Sequence, residues 1–89
     1  MPVVSFTRAL ERHVAAPPTS VAGATVRDAL EEVFRGNPRL RGYVLDDQGR
    51  LRRHVVVFVD GEMVADRERL SDPVRAASSV LVMQALSGG

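Results

Sequence analysis

The chain has 89 residues, of which 45% are apolar and 26% are charged, and its formal net charge is +1. This composition is typical of one small globular domain, and the absence of cysteine excludes a disulfide framework, a thiolate nucleophile and cysteine-ligated metal within the sequence. Because there is no apolar run of membrane-spanning length and no signal-peptide pattern, we expect a cytoplasmic protein without a membrane partner.

The first part of the chain predicts two short strands. Apolar and polar residues alternate in "VVSFTRAL", with Val4 and Phe6 on one side, which predicts a half-buried first strand. The prolines of "AAPPTS" predict a turn. The stretch "TSVAG" then predicts a second short strand.

A helix is predicted next, because apolar residues recur with helical spacing. Thr25 suits the N-cap position, and Asp28 follows it three residues later. Gly36 and the Asn37-Pro38 pair are typical of a helix end. The apolar stripe consists of Val26, Ala29, Leu30, Val33 and Phe34.

The second half of the chain predicts mainly strands and turns. In "LRGYVLDDQGRL", a turn separates two short apolar segments. The stretch "HVVVFV" is apolar on both sides, as expected for a strand in the middle of a sheet. Asp60-Gly61 then predicts a two-residue hairpin turn that returns through "EMVAD".

The last predicted element is the strand "VLVMQAL". The loop before it contains Leu70 and Val74, which we expect to point into the core. The complete order is two strands, one helix and two or three further strands. This order predicts an α+β fold in which a mixed sheet of four to five strands packs on one main helix.

Other candidate chemistry is sparse. Six of the twelve arginines lie between positions 35 and 53, and the chain has no lysine. Since only Tyr43 supplies an aromatic ring there, we expect a solvated surface and no nucleic-acid partner. His13 and His54 lack metal-ligand spacing, so we expect no metal site. No glycine-rich phosphate-binding motif is present, so we expect no cofactor bound by the chain itself.

The strand-turn-strand "HVVVFVDGEMV" and the final "LSGG" resemble the ThiS/MoaD family of ubiquitin-like sulfur carriers. The resemblance implies a β-grasp domain over residues 1–86 and a flexible reactive tail over residues 87–89. The chain departs from the family pattern at two places. The family often has a Gly-Asp type turn before the last strand, where this chain has "RAASS", and it often has a proline shortly before the diglycine, where this chain has Gln84. These departures leave the subfamily, and therefore the pathway, open.

The resemblance also implies a reactive role for Gly89. A partner enzyme would use ATP to adenylate the Gly89 carboxylate, which would then become a thiocarboxylate. Gly88 and Gly89 suit this role because residues without Cβ can thread a narrow site and leave the acyl carbon unhindered. The implied partners are an adenylating enzyme, a sulfur donor and a sulfur-accepting synthase. The chain would then be a monomeric carrier when free rather than an enzyme.

Two alternatives remain open at this point. The activated glycine could be conjugated to lysines of other proteins, as in a ubiquitin-like modifier, or the chain could be a binding module with inert glycines. A docking surface beside the tail is also implied, because the last strand has apolar residues on both sides. The residues that we assign to it are Met63, Met83, Leu81, Leu86 and Phe6, with the core as the alternative position for Phe6.

Overall fold

The computed structural model describes residues 1–8 and 16–84. Within these residues five strands form one mixed sheet in the order β2-β1-β5-β3-β4. β5 is parallel to β1 on one side and antiparallel to β3 on the other. This arrangement confirms the predicted α+β class. The strands are β1 (Val3–Phe6), β2 (Thr19–Ser20), β3 (Val55–Val59), β4 (Glu62–Met63) and β5 (Ser79–Gln84).

The predicted helix is confirmed as α1, which spans Val26–Gly36. The Thr25 hydroxyl oxygen accepts a hydrogen bond from the Asp28 backbone N–H at 3.2 Å, so the predicted N-cap is present. The whole predicted apolar stripe is buried in the same core as the inner side of the sheet. Burial of that stripe against the sheet is what stabilises a helix of this length.

The inner side of the sheet follows the predicted alternation. Val4 and Val57 are fully buried in the core. Leu70 is also fully buried although its φ is 56°, a conformation that is uncommon for leucine. Two hydrogen bonds hold it there, from the Leu70 N–H to the Asp66 carbonyl oxygen at 3.0 Å and from the Arg27 N–H to the Leu70 carbonyl oxygen at 2.9 Å. The prediction that Leu70 is an inward anchor is confirmed.

One predicted strand segment is in fact helical. The first apolar segment of "LRGYVLDDQGRL" belongs to α2, which spans Pro38–Val44. Proline at the first helical position starts a helix well, because its missing N–H is not needed there. Leu40 and Val44 are four residues apart and both fully buried, so they place one side of α2 in the core. The two apolar segments still meet at one point, because Leu45 and Leu51 form an isolated antiparallel bridge.

Gly23 lies in close contact with the start of α1. A Cβ added to Gly23 would lie 2.8 Å from the Ala29 backbone nitrogen and 3.1 Å from the Asp28 Cβ. Neither neighbour is the mobile end of a long side chain. The position therefore needs glycine. The second strand itself ends earlier, because only Thr19–Ser20 of the predicted strand "TSVAG" pairs in the sheet.

Gly23→Ala should lower the free energy of unfolding by about 1–3 kcal/mol, because the added methyl group overpacks the backbone of α1. Gly36→Ala is the matched control, since its Cβ would meet no described atom within 4 Å. The control should leave stability unchanged or raise it by up to about 1 kcal/mol through better helix propensity. Urea unfolding followed by circular dichroism measures both, and equal effects of the two substitutions would contradict the close contact.

Candidate functional site

The candidate site begins where the chain leaves the central strand β5. Val82 of β5 pairs with Phe6 of β1, and the Thr7 N–H donates to the Val82 carbonyl oxygen at 3.0 Å. On the other side, Gln84 pairs with Val55 at the start of β3. The tail therefore leaves the sheet between the end of β1 and the start of β3. Residues Leu86, Gly88 and Gly89, which we predicted to act in docking and reaction, lie outside the described residues.

The side of the sheet away from α1 carries a row of apolar side chains. The strand pairing places Phe58 opposite both Leu81 and Met63, and Val56 opposite Met83. Residues of the same strand parity share one side of a sheet, so these side chains form one surface. We call this surface the outer face, and its members are Val3, Ser5, Val56, Phe58, Met63, Ser79, Leu81 and Met83.

The predicted docking residues divide between the outer face and the core. Met63 is 59% exposed and Leu81 is 36% exposed, while Met83 is half-buried. Phe6 was wrongly assigned to docking, because it is only 6% exposed and belongs to the core. Its parity in β1 matches that of the buried Val4, and this alternation in the sequence indicated the core position.

The strand β3 contributes two apolar members of the outer face that we did not assign to docking from the sequence. Val56 and Phe58 are half-buried, and both lie on the side of β3 away from the core. The apolar residues on both sides of "HVVVFV" were a signal for them, because only one side of the strand can face α1. The register that sets Phe58 beside Met63 depends on strand pairing, which the sequence alone does not specify.

The candidate carboxylates outside the tail have structural roles. The Asp46 carboxylate accepts from the Arg50 N–H at 3.0 Å and the Gln48 N–H at 2.8 Å, and these bonds lower its pKa. The Asp60 carboxylate instead accepts from the Ser79 N–H at 2.9 Å and the Ser78 hydroxyl at 3.0 Å, so it links the turn after β3 to the start of β5. Bonding to the local turn is therefore confirmed for Asp46, whereas the Asp60 side chain makes its contacts with another strand. In residues 1–8 and 16–84 no cluster of histidine and acidic side chains could hold a metal ion.

The family comparison decides the class of the protein. The ThiS family model matches residues 12–89. The chain belongs to the ThiS family. The match confirms the resemblance, which rested on the strand-turn-strand and the final glycines. Among the helices of the described residues, none is both long enough and apolar enough to cross a membrane.

Solved structures share the fold over nearly the whole chain. SAMP1 from Haloferax volcanii is 29% identical with a TM-score of 0.79, and the alignment covers 99% of this chain and 98% of that one. CysO in the BexX/CysO complex structure from Amycolatopsis orientalis is 22% identical with a TM-score of 0.84 and complete coverage of both chains. CysO from Mycobacterium tuberculosis is 21% identical with a TM-score of 0.81, covering 97% of this chain and 100% of that one.

These likenesses confirm the β-grasp fold of this ThiS-family chain. No curated protein sequence matches it. The family and the structural neighbours are small carrier or modifier proteins, so they support a ubiquitin-like sulfur carrier or modifier.

Asp substitutions should distinguish the outer face from the core. Met63→Asp should change the free energy of unfolding by less than about 0.5 kcal/mol, because the side chain is mostly in water. Phe6→Asp should unfold the domain, since it buries an unpaired charge. Circular dichroism with thermal denaturation measures both variants, and a folded Phe6→Asp variant would contradict the core position of Phe6.

Proposed function

We propose that this ThiS-family protein is a sulfur carrier in the cytoplasm, with Gly89 as its reactive residue. The main support is that the family match continues to residue 89, five residues after the end of the central strand β5. Residues 1–86 form the domain that partners bind in this proposal, and residues 87–89 form the reactive tail. The carrier is monomeric when free, and it is a substrate of partner enzymes rather than an enzyme.

The proposed chemistry has two steps at the Gly89 carboxylate. A carboxylate oxygen attacks the α-phosphorus of ATP on an adenylating enzyme, which releases pyrophosphate and leaves an acyl-adenylate. A sulfur nucleophile at the oxidation level of hydrosulfide then attacks the acyl carbon and displaces AMP. The product is a thiocarboxylate, which donates its sulfur to an accepting synthase. ATP binds to the partner, and this chain supplies only the acyl group.

The chain after β5 is long enough for the Gly89 carboxylate to react inside the partner enzyme. Five residues, 85–89, follow Gln84, and an extended chain spans at most about 3.3–3.6 Å per residue, so these two residues and the three-residue tail together can place the Gly89 carboxylate about 17 Å from the sheet. Gly88 and Gly89 have no Cβ and can enter a narrow site in an extended conformation. The domain can therefore stay at the mouth of the partner's site while the carboxylate reacts inside.

The outer face supplies the docking surface in this proposal. Met63, Leu81 and Met83 lie on it with Phe58, and Leu86 would continue the apolar surface into the tail. Methionine suits such a surface because its flexible thioether adapts to different partners. An exposed apolar surface beside the reactive tail is typical of a protein interface.

A protein modifier is the second candidate function, and the likeness to SAMP1 favours it. That protein is a small archaeal modifier protein and shares 29% of its residues with this chain. In this alternative, the activated Gly89 carboxylate acylates a lysine of a target protein. The chain has no lysine, so no side-chain amine of its own could accept the acyl group. Conjugates would appear as species of higher mass, whereas a carrier returns to its original mass.

Incubation with the adenylating enzyme of its own organism, ATP and sulfide should add about 16 Da to the intact mass, because sulfur replaces one oxygen. Fragmentation should place the added mass on Gly89. This step is essential, since oxidation of Met63 or Met83 adds the same mass. Added mass on methionine alone, with an unmodified Gly89, would contradict the carrier function.

Deletion of Gly89 and Gly88→Ala are the matched tail variants for this measurement. Because the proposal assigns both positions to the tail and not to the folded domain, stability should change by less than about 0.5 kcal/mol. Deletion should abolish the added mass, and Gly88→Ala should strongly reduce it. Sulfur transfer that survives the deletion of Gly89 would refute the mechanism.

Met63→Asp combined with Met83→Asp should weaken binding of the adenylating enzyme while the domain stays folded. Apolar anchors near the centre of an interface can each contribute about 2 kcal/mol or more. Ala76→Asp combined with Ala77→Asp is the control, because it adds the same charge at exposed positions before β5. Isothermal titration calorimetry measures the affinities. If both double variants bind the enzyme with equal affinity, Met63 and Met83 are not part of the docking surface.

A further inference from the structure

Arg8 lies beside the point where the tail leaves the sheet. β1 is parallel to β5, so the end of β1 lies next to the end of β5. The hydrogen bond from the Thr7 N–H to the Val82 carbonyl oxygen holds the backbone directly before Arg8. Arg8 is exposed, and its guanidinium forms no ion pair with any residue in the described part of the chain.

Arg53 lies on the opposite side of the tail. It stands two residues before Val55, which pairs with Gln84 at the end of β5. The turn that carries it is well held, because the Val55 N–H donates to the Arg52 carbonyl oxygen at 3.0 Å and the Arg67 guanidinium donates to the same oxygen at 2.9 Å. Arg53 is exposed and also has no ion-pair partner among residues 1–8 and 16–84.

Most other arginines of the segment from 35 to 53 are bound by their own chain. They form ion pairs with α1 and with the turn after α2, or they donate to a backbone carbonyl. Their charge is therefore partly neutralised or fixed away from the tail. These contacts are Arg35–Glu32 at 2.8 Å, Arg41–Glu31 at 3.1 Å, Arg50–Asp46 at 3.3 Å and Arg52 to the Gly42 carbonyl oxygen at 2.7 Å.

The opposite end of the sheet is acidic. Asp60 and Glu62 lie at the hairpin after β3, which is the end far from the tail because β3 and β5 are antiparallel. Hydrogen bonds from the Ser79 N–H and the Ser78 hydroxyl lower the pKa of Asp60. Arg75 offsets part of this charge. Among the described residues, Arg8 and Arg53 thus lie at the end of the sheet where the chain leaves β5, and Asp60 and Glu62 lie at the other end.

The length of the tail limits what the two arginines can bind. An extended tail places the Gly89 carboxylate about 17 Å from the sheet, and an arginine side chain spans less than half that distance. When the tail is extended in a partner, Arg8 and Arg53 cannot touch the reacting carboxylate or its phosphate donor. The two arginines would lie instead near the entrance of the partner's active site.

We propose that Arg8 and Arg53 form a cationic collar around the base of the tail, which binds carboxylates at the entrance of the activating enzyme's site. The inference rests on the proposed function and adds the chemistry of the partner's surface. Guanidinium groups bind carboxylates through paired hydrogen bonds. Charges at the rim of an interface mainly raise the association rate and fix orientation, so the collar guides the tail into the site. The collar therefore predicts an acidic entrance on the partner.

The test is the rate of ATP–pyrophosphate exchange by the adenylating enzyme of the same organism. Arg8→Glu combined with Arg53→Glu should raise the KM for the carrier by about 10-fold or more and leave kcat unchanged. The parent protein's KM should rise between about 0.05 M and about 0.3 M sodium chloride, because salt screens exposed charges, and the variant should lose this dependence. Arg8→Gln combined with Arg53→Gln should give a smaller rise in KM, and it replaces the first variant if that one fails to fold.

Arg39→Glu combined with Arg75→Glu is the matched control, because it makes the same change in net charge at exposed positions on α2 and near the start of β5. It should leave the KM nearly unchanged. An unchanged KM in the collar variant, an equal rise in the control, or a fall in kcat alone would each overturn the collar. Without any exchange by the parent protein, the proposed function itself fails, so the two failures are distinct.

A nucleic acid is the other class of anion that two arginines could bind, and the same variants test it. Fluorescence anisotropy with a labelled oligouridylate should show no binding by the parent protein. The parent protein could instead bind the oligouridylate, and the collar variant could lose this binding while its exchange kinetics stay unchanged. That result would show that the two arginines bind a nucleic acid and not an acidic protein surface.

Discussion

The pairing of β5 with both β1 and β3 is the constraint on which the rest of the molecule depends. Val82 is fully buried and pairs with both neighbours, so the register on each side fixes which residues of three strands enter the core. The same register places Leu81 on the outer face. It also decides which strand ends flank the tail. One set of backbone hydrogen bonds therefore determines the core, the outer face and the point where the chain leaves the sheet.

Much of the fold could be predicted because local patterns and tertiary structure agree. The alternation around Val4, the stripe of α1 and the Asp60-Gly61 turn each have a local physical cause, and the structure has all three. The segment at Pro38 was different, because its short apolar run suits a strand or a helix equally well. Burial of Leu40 and Val44 against α1 and the sheet selects the helix, and a local pattern does not contain that information.

The candidate site was harder to predict for a related reason. Each member of the outer face comes from one of several strands, so the surface exists only after the strands pair. Phe6 is the exception, since its shared parity with Val4 already indicated the core in the sequence. The two arginines beside the tail are 45 positions apart in sequence. Only the neighbouring positions of β1 and β3 around β5 bring them to the same end of the sheet.

The parallel pairing of β1 with β5 has a consequence for biosynthesis. Val3 pairs with Ser79, so the sheet joins segments that are 76 positions apart in sequence. Contacts of such large sequence separation close late, because the entropy of loop closure opposes them. The ribosome must pass β5 before β1 and β3 gain the strand between them. A nascent chain interrupted before β5 would therefore expose the unpaired edges of β1 and β3, and the sheet can close only after β5 has been synthesised.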